Sequence, residues 1–173
     1  MNPPVRIVLT GPESSGKSAL TAWLAATLGV ACADEYARSH LEQHGPAYDY
    51  PMLLELSRLH LKHQAACVPG NAPVGILDTD LLNYQVWCEV VYGTCHPEIL
   101  AAIEQESHHR YLLCYPDLPW EPDPLREHPD AREMLFDRHW DAIAQRGRPY
   151  RIVRGIGSAR EQAALAAVHE LLD

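Results

Sequence analysis

One short segment constrains this chain more than any other. Gly11-Pro-Glu-Ser-Ser-Gly16-Lys17-Ser18 lies between a β-branched run, Val5 to Thr10, and an apolar-periodic run, Lys17 to Leu28. Two glycines at that spacing let the backbone curl until successive N–H groups point inward at an anion. A helix starting at Lys17 aims the positive end of its dipole at the same point. Chance alone would produce G-x-x-x-x-G-K-[ST] in roughly one chain of this length in two hundred. A strand before it and a helix after it make it the first βα unit of a parallel sheet.

The pattern is that of the P-loop. Gly11, Pro12, Glu13, Ser14, Ser15, Gly16, Lys17, Ser18 and Ala19 are expected to hold nucleotide phosphates, with Lys17 at the β- and γ-phosphates and the Ser18 hydroxyl on Mg²⁺. Glu13 is unusual in a phosphate cradle. It must point away from the phosphates or help to hold substrate or metal.

Further along, strand-like and helix-like segments alternate. Strands are expected at 30–33, 74–78, 110–115 and 150–154, and helices at about 34–44, 51–67, 81–92, 97–107, 131–145 and from Ser158 to the end. Ser158 and Glu161 have capping-box spacing. Met1-Asn2-Pro3-Pro4 leads directly into the first strand. Five prolines between 116 and 130 mark a lid-like loop. The fold class expected is α/β: a P-loop NTPase/kinase fold, three-layer αβα, with a five-stranded parallel sheet and one domain over residues 1–173.

Composition narrows the ligand. The 173 residues are 47% hydrophobic and carry a net charge of −9, which argues for a globular chain without the basic face of a nucleic-acid binder. No apolar run is long enough to span a bilayer, and no signal peptide is evident, so a cytoplasmic location without a membrane partner is expected. Five scattered cysteines read as reduced thiols. Cys88, Cys95 and His96 lack metal-site spacing, and His60 with His63, or His108 with His109, lack a third ligand. Oligomeric state is left undecided.

A P-loop does not name a reaction. The absence of N-K-x-D disfavours a GTPase, and the short chain with an arginine-bearing late loop favours a small-molecule kinase. Asp78, closing the third strand, is expected to hold Mg²⁺ with Ser18. Asp34 or Glu35, closing the second, is the candidate base for an acceptor hydroxyl. Arg126 on the lid would stabilise transferring charge, with Arg132 and Arg138 in reserve. Arg38 is placed to clamp a phosphate or orient Glu35. The segment 154–157 is the expected rest for the adenine.

Taken in order, Gly11 to Ser18, Glu35-Tyr-Ala-Arg38, Asp78-Thr-Asp80 with Gln85 and Tyr92-Gly93, and Pro119-Trp120…Asp123…Leu125-Arg126 resemble the ribosylnicotinamide kinase domain of NadR-type proteins. That resemblance implies ATP and Mg²⁺ as cofactors and phosphorylation of nicotinamide riboside, a small nucleoside, to the mononucleotide. Lys17, Ser18 and Asp78 would match its ATP–Mg²⁺ site and Arg126 its lid. Longer family members add a nucleotidyl-transfer domain and sometimes a DNA-binding one, whose activities are not carried over here. Around a cationic pyridinium ring, Tyr84, Trp87, Tyr92 and Trp120 could supply aromatic faces. Tyr36, Arg38, Asp80 and Gln85 complete the expected acceptor site. The alternatives are a kinase for another nucleoside or vitamin alcohol, and an ATP-sensing module that phosphorylates nothing.

Overall fold

Strands whose two faces are both apolar must be covered on both sides, and that requirement sets the layers of this molecule. The computed structural model describes residues 4–173; Met1-Asn2-Pro3 lie outside the described residues. In chain order the elements are β1 (Val5–Thr10), α1 (Lys17–Leu28), β2 (Ala31–Ala33), α2 (Tyr36–His44), α3 (Tyr50–Cys67), β3 (Val74–Asp78), α4 (Leu81–Tyr92), α5 (Pro97–Gln105), β4 (His109–Cys114), α6 (Arg132–Ala144), β5 (Tyr150–Val153) and α7 (Gly157–Leu172). The strands form one parallel sheet in the order β2-β3-β1-β4-β5.

Alternation along the strands sends side chains to opposite faces. Ile7, Leu9, Ile76, Leu112 and Val153 meet α1 and α7 on one side. Val8, Leu77, Tyr111 and Leu113 meet α4 and α6 on the other. A third cluster joins α2, α3, α4 and α5 through Leu53, Leu56, Tyr84 and Ile99. The chain leaves β1 toward the β2 edge and leaves β3 toward the β4 edge. Connections therefore part above the C-terminal ends of the two central strands, where open α/β sheets bind ligands. No helix among the described residues is long and apolar enough to cross a membrane.

Three local expectations need correction. Helix α7 begins at Gly157 behind Ile156, with no side-chain cap, so Ser158 and Glu161 lie inside it rather than forming a capping box. The preceding turn is held from elsewhere: Gly155 N–H donates to Asp117 (2.6 Å) and Gly155 O accepts from Arg160 (3.0 Å). Helix α3 starts at Tyr50, because Asp49 accepts from Met52 N–H at 2.9 Å. Asp80 does not turn toward a ligand. It is fully buried beneath the sheet, caps α4 through Leu82 N–H, and accepts from His109 Nδ1 (2.8 Å) and the Tyr111 hydroxyl (2.7 Å).

Burial would raise the Asp80 carboxyl, but the bonds from His109, Tyr111 and Leu82 outweigh it and hold the group below its ordinary value. A carboxylate lowered by folding stabilises the native state above its unfolded pKa, about 4, and loses that contribution as pH falls through the folded value. Asp80→Ala should therefore cost roughly 3–5 kcal/mol at pH 7 by urea unfolding, since it strands buried partners. The gap between wild type and Asp80→Asn should narrow as pH drops below about 4.

Candidate active site

The loop after β1 is shaped by contacts that only glycine allows. Gly11 has φ +134°, and a Cβ there would lie 2.7 Å from the Cys114 carbonyl oxygen. Gly16 has φ +74° and stands at the N-cap of α1 with no side-chain cap. The first amides of α1 are thus left for an anion. Ser15 Oγ donates to Pro12 O (2.7 Å), closing the curl. Lys17 Nζ folds back over it, donating to Gly11 O (3.1 Å) and Pro12 O (2.7 Å).

Beneath the loop sits Arg160, 4% exposed, whose guanidinium donates to Ser15 O (2.7 Å), Tyr115 O (3.1 Å) and Gly155 O. It ties the P-loop to the ends of β4 and β5. The sequence reading missed it. Its one signal was a lone arginine on the apolar face of a small-residue helix.

Ser18 Oγ donates to Asp78 Oδ2 at 2.6 Å, and Asp78 Oδ1 is buried without a partner. Burial raises the Asp78 carboxyl, against the pull of Lys17 and the Ser18 hydrogen bond. A desolvated carboxylate with an orphaned oxygen beside a hydroxyl is a hard-oxygen donor set, and it fits Mg²⁺.

The 116–130 segment lies folded over the loop. Both oxygens of Glu13 accept from Glu127 N–H (3.1 and 3.2 Å), and one also accepts from His128 N–H (3.0 Å). Glu13 therefore points at the lid, not at the phosphate cradle. Ser14 Oγ takes Glu121 N–H (3.0 Å) and donates to Pro119 O (3.5 Å). Arg132 donates to Leu118 O (2.7 Å) and Ser14 O (3.3 Å). Arg38 donates to Asp123 and to Glu42, each at 3.1 Å. Tyr48 hydroxyl reaches Glu127 (2.8 Å), and the Arg126 guanidinium is bonded to Glu121 O.

Between loop and lid is a cavity of about 540 Å³, lined by Gly11 through Ala19 and by Glu35, Arg38, Tyr48, Trp87, Arg126 and His139 among others. That size suits a small organic ligand. Glu35 stands on the wall of this cavity. Its carboxyl is pushed up to about 7, first by burial and then by the charge of Asp78, while Lys17 and Arg38 pull the other way. His139, bonded to Leu135 O (2.7 Å) and Asn83 (3.1 Å), is lowered to about 4 by burial and stays neutral.

Several residues expected at the site are elsewhere. Asp34 faces solvent, its side chain 69% exposed, and pairs with His63 Nε2 at 2.6 Å; of the two neighbouring acids only Glu35 lines the cavity. Tyr36 packs on His40 and His63 outside it. Asp80 is sequestered as described above. Tyr84 is core, 1% exposed and edge-on to His60. Gln85 is buried and donates to Glu89 (2.8 Å). Trp120 is turned off the cavity because Ser14 holds the backbone on both sides of it; its indole lies 5.8 Å from the Arg132 guanidinium. Tyr92 packs against Tyr50. Trp87 does line the cavity, with Tyr48 edge-on at 4.8 Å, and Tyr48 is an aromatic the sequence reading passed over. In the 154–157 segment Arg154 covers the Tyr115 ring at 3.7 Å, and Ile156 is exposed.

Comparison with known proteins bears on the family and the fold. The trifunctional NAD biosynthesis/regulator proteins NadR of Salmonella typhimurium and Escherichia coli K12 are each 31% identical over 124 residues, 69% of this chain. The chain spans only 30% of the length of these curated relatives. Among solved structures, a NadR protein in complex with NR superposes with a TM-score of 0.71 at 18% identity, covering 96% of this chain and 51% of that one. YorR of Bacillus subtilis, in complex with phosphorylated GDP, gives 0.58 at 15% identity, covering 97% and 96%. These likenesses show a shared fold, and the resemblance to NadR-type proteins drawn from the ordered motifs holds. The family model described as AAA domain matches residues 6–161, from the first strand through the P-loop to the arginine beneath it, and the chain belongs to that family.

Proposed function

We propose that this chain is an ATP-dependent nucleoside kinase that transfers the γ-phosphoryl group to the 5′-hydroxyl of nicotinamide riboside, giving ADP and nicotinamide mononucleotide. One observation carries the reading. A carboxyl raised to about 7 shares a lid-covered cavity with a P-loop lysine and with Ser18, whose hydroxyl is bonded to Asp78 behind it. A sensor that transfers nothing needs no such base beside its phosphate loop. The NadR similarity and the NR-bound NadR structure support the acceptor.

The roles follow from placement. The free amides of α1 and the loop bind the phosphate tail. Lys17 exchanges its contacts with Gly11 O and Pro12 O for phosphate oxygens. Ser18 and Asp78 would hold Mg²⁺, which when bound neutralises phosphate charge. Glu35, half-charged near neutrality, accepts the proton of the acceptor hydroxyl as the new P–O bond forms. Arg126 approaches the transferring group from the lid, and Arg38 orients the acceptor while pinning Asp123. Trp87 and Tyr48 present aromatic surface to a cationic ring. The closed lid excludes water, which would otherwise accept the phosphoryl group.

Release of ADP should require nicotinamide riboside; equal release without it would contradict the proposal. Lys17→Ala should lower turnover by about 10²-fold or more with an unchanged circular dichroism spectrum. The kcat/KM profile should climb as pH rises through about 7, while Glu35 loses its proton, and Glu35→Gln should flatten that limb and lower kcat more than it changes KM. Because folding raises this carboxyl, its ionisation burdens the native state increasingly from about 4.5 up to about 7. Glu35→Gln should thus be more stable than wild type at pH 8 and not at pH 4, by thermal unfolding. Glu13→Ala, which frees the lid amides, should raise the ratio of ATP hydrolysis to product formation.

A further inference from the structure

Among the described residues, two groups of histidine, cysteine and carboxylate side chains bring one donor atom each within 4.8 Å of one another. The first, Asp80, Glu106 and His109, is fully enclosed. Both Asp80 oxygens already accept hydrogen bonds, and the Arg148 guanidinium, bonded to Glu106 O and to Ile103 O, adds positive charge beside it. Glu106 Oε1 and Oε2 and His109 Nε2 are buried there without partners, but burial raises the Glu106 carboxyl well above its ordinary value and Arg148 beside it opposes a cation.

The second group is built differently. Asp34 follows β2 and is exposed; His63 and Cys67 stand one turn apart on α3. His63 Nε2 is 2.6 Å from Asp34 Oδ1 and 3.6 Å from Cys67 Sγ. One imidazole thus stands between a carboxylate and a thiol, at the surface and outside the nucleotide cavity. The i, i+4 spacing on a helix places two ligands on one face, and a third arrives from the strand packed against it. The Tyr36 ring packs on the imidazole at 5.5 Å. Cys32 is exposed on β2, the strand that leads to Asp34.

From this geometry we propose that Asp34, His63 and Cys67 form a binding site for a divalent transition-metal ion of the Zn²⁺ type. Mixed sulfur, nitrogen and oxygen donors select a borderline-soft ion over Mg²⁺ or Ca²⁺. Bonds of about 2.0–2.3 Å to each ligand put the donors about 3–4 Å apart, so the Asp34–His63 contact opens by about 1 Å, and because Cys67 Sγ lies nearly as close to Nδ1 (3.8 Å) as to Nε2 (3.6 Å), the imidazole turns to aim one nitrogen between carboxylate and thiol. The exposed Asp34 carboxylate can make that movement. Binding displaces the proton between Asp34 and His63 and the Cys67 thiol proton to solvent. Water completes the fourth position. The ion would clamp the turn carrying Asp34 to α3, and the site stands independently of the kinase reading.

The full, reduced chain titrated with Co²⁺ under argon, with excess Mg²⁺ present, provides the test. A thiolate-to-cobalt charge-transfer band should grow to one equivalent and be bleached by Zn²⁺. Cys67→Ser should abolish the band, and Asp34→Ala, a surface change that spares the core, should weaken Co²⁺ binding by at least roughly tenfold. Zn²⁺ should raise the melting temperature of wild type but not of Cys67→Ser. Absence of the band in folded wild type overturns the proposal, as does a band that persists in Cys67→Ser or is unchanged in affinity in Asp34→Ala.

Discussion

A helix start with no side-chain cap governs this molecule. The amides that open α1 have no partner from their own side chains, because Gly16 occupies the N-cap. Such donors must be met by water or by an anion. The fold leaves them at the C-terminal end of the central strand β1, where Gly11 lies against the Cys114 carbonyl and nothing larger fits. Strand pairing on both sides of β1 and Arg160 beneath the loop keep that curl from collapsing into an ordinary helix start.

Around this fixed positive feature the molecule arranges negative charge at graded depth. Asp78 is buried beside Ser18, Glu35 is half-buried beyond it, and Glu13 stands at the rim holding the lid. Burial and mutual repulsion move the inner carboxyls upward, and Lys17 and Arg38 moderate the shift. A cation and a phosphate chain entering together would relieve that crowding, so ligand binding and the electrostatics of the cavity support one another. The lid responds to the same groups, since Glu13 and Ser14 belong at once to the P-loop and to the lid contacts.

Much of the frame was legible beforehand. Short apolar runs alternating with helix-like segments located all five strands, and the boundaries of α1, α4 and β3 agree residue for residue with the expected ones. Reading the site was harder. Asp34 and Glu35 are adjacent and chemically alike, yet α3 draws one to the surface through His63 while the other faces the cavity. Asp80 looked like a ligand contact because it follows Asp78 closely. Thr79, with φ +65°, reverses the chain and sends Asp80 under the sheet to His109 and Tyr111. Tyr84 and Trp87 share one helix with the same residue class, and only packing among Leu53, Leu56, Ile99 and His60 made the first of them core.

What the sequence by itself determined is local: a phosphate-binding loop, its lysine and hydroxyl, and the alternation that demands a parallel sheet. These depend on residues within a few positions of one another, where spacing alone constrains geometry. The tertiary structure decided which acid faces the cavity, what Glu13 holds and what supports the loop. Glu13 meets amides 114 residues away, and Arg160 meets Ser15 across 145. Such contacts exist only once the strands have paired, because hydrogen-bonding groups far apart in the chain have no preference for each other until packing brings them together and removes the water between them.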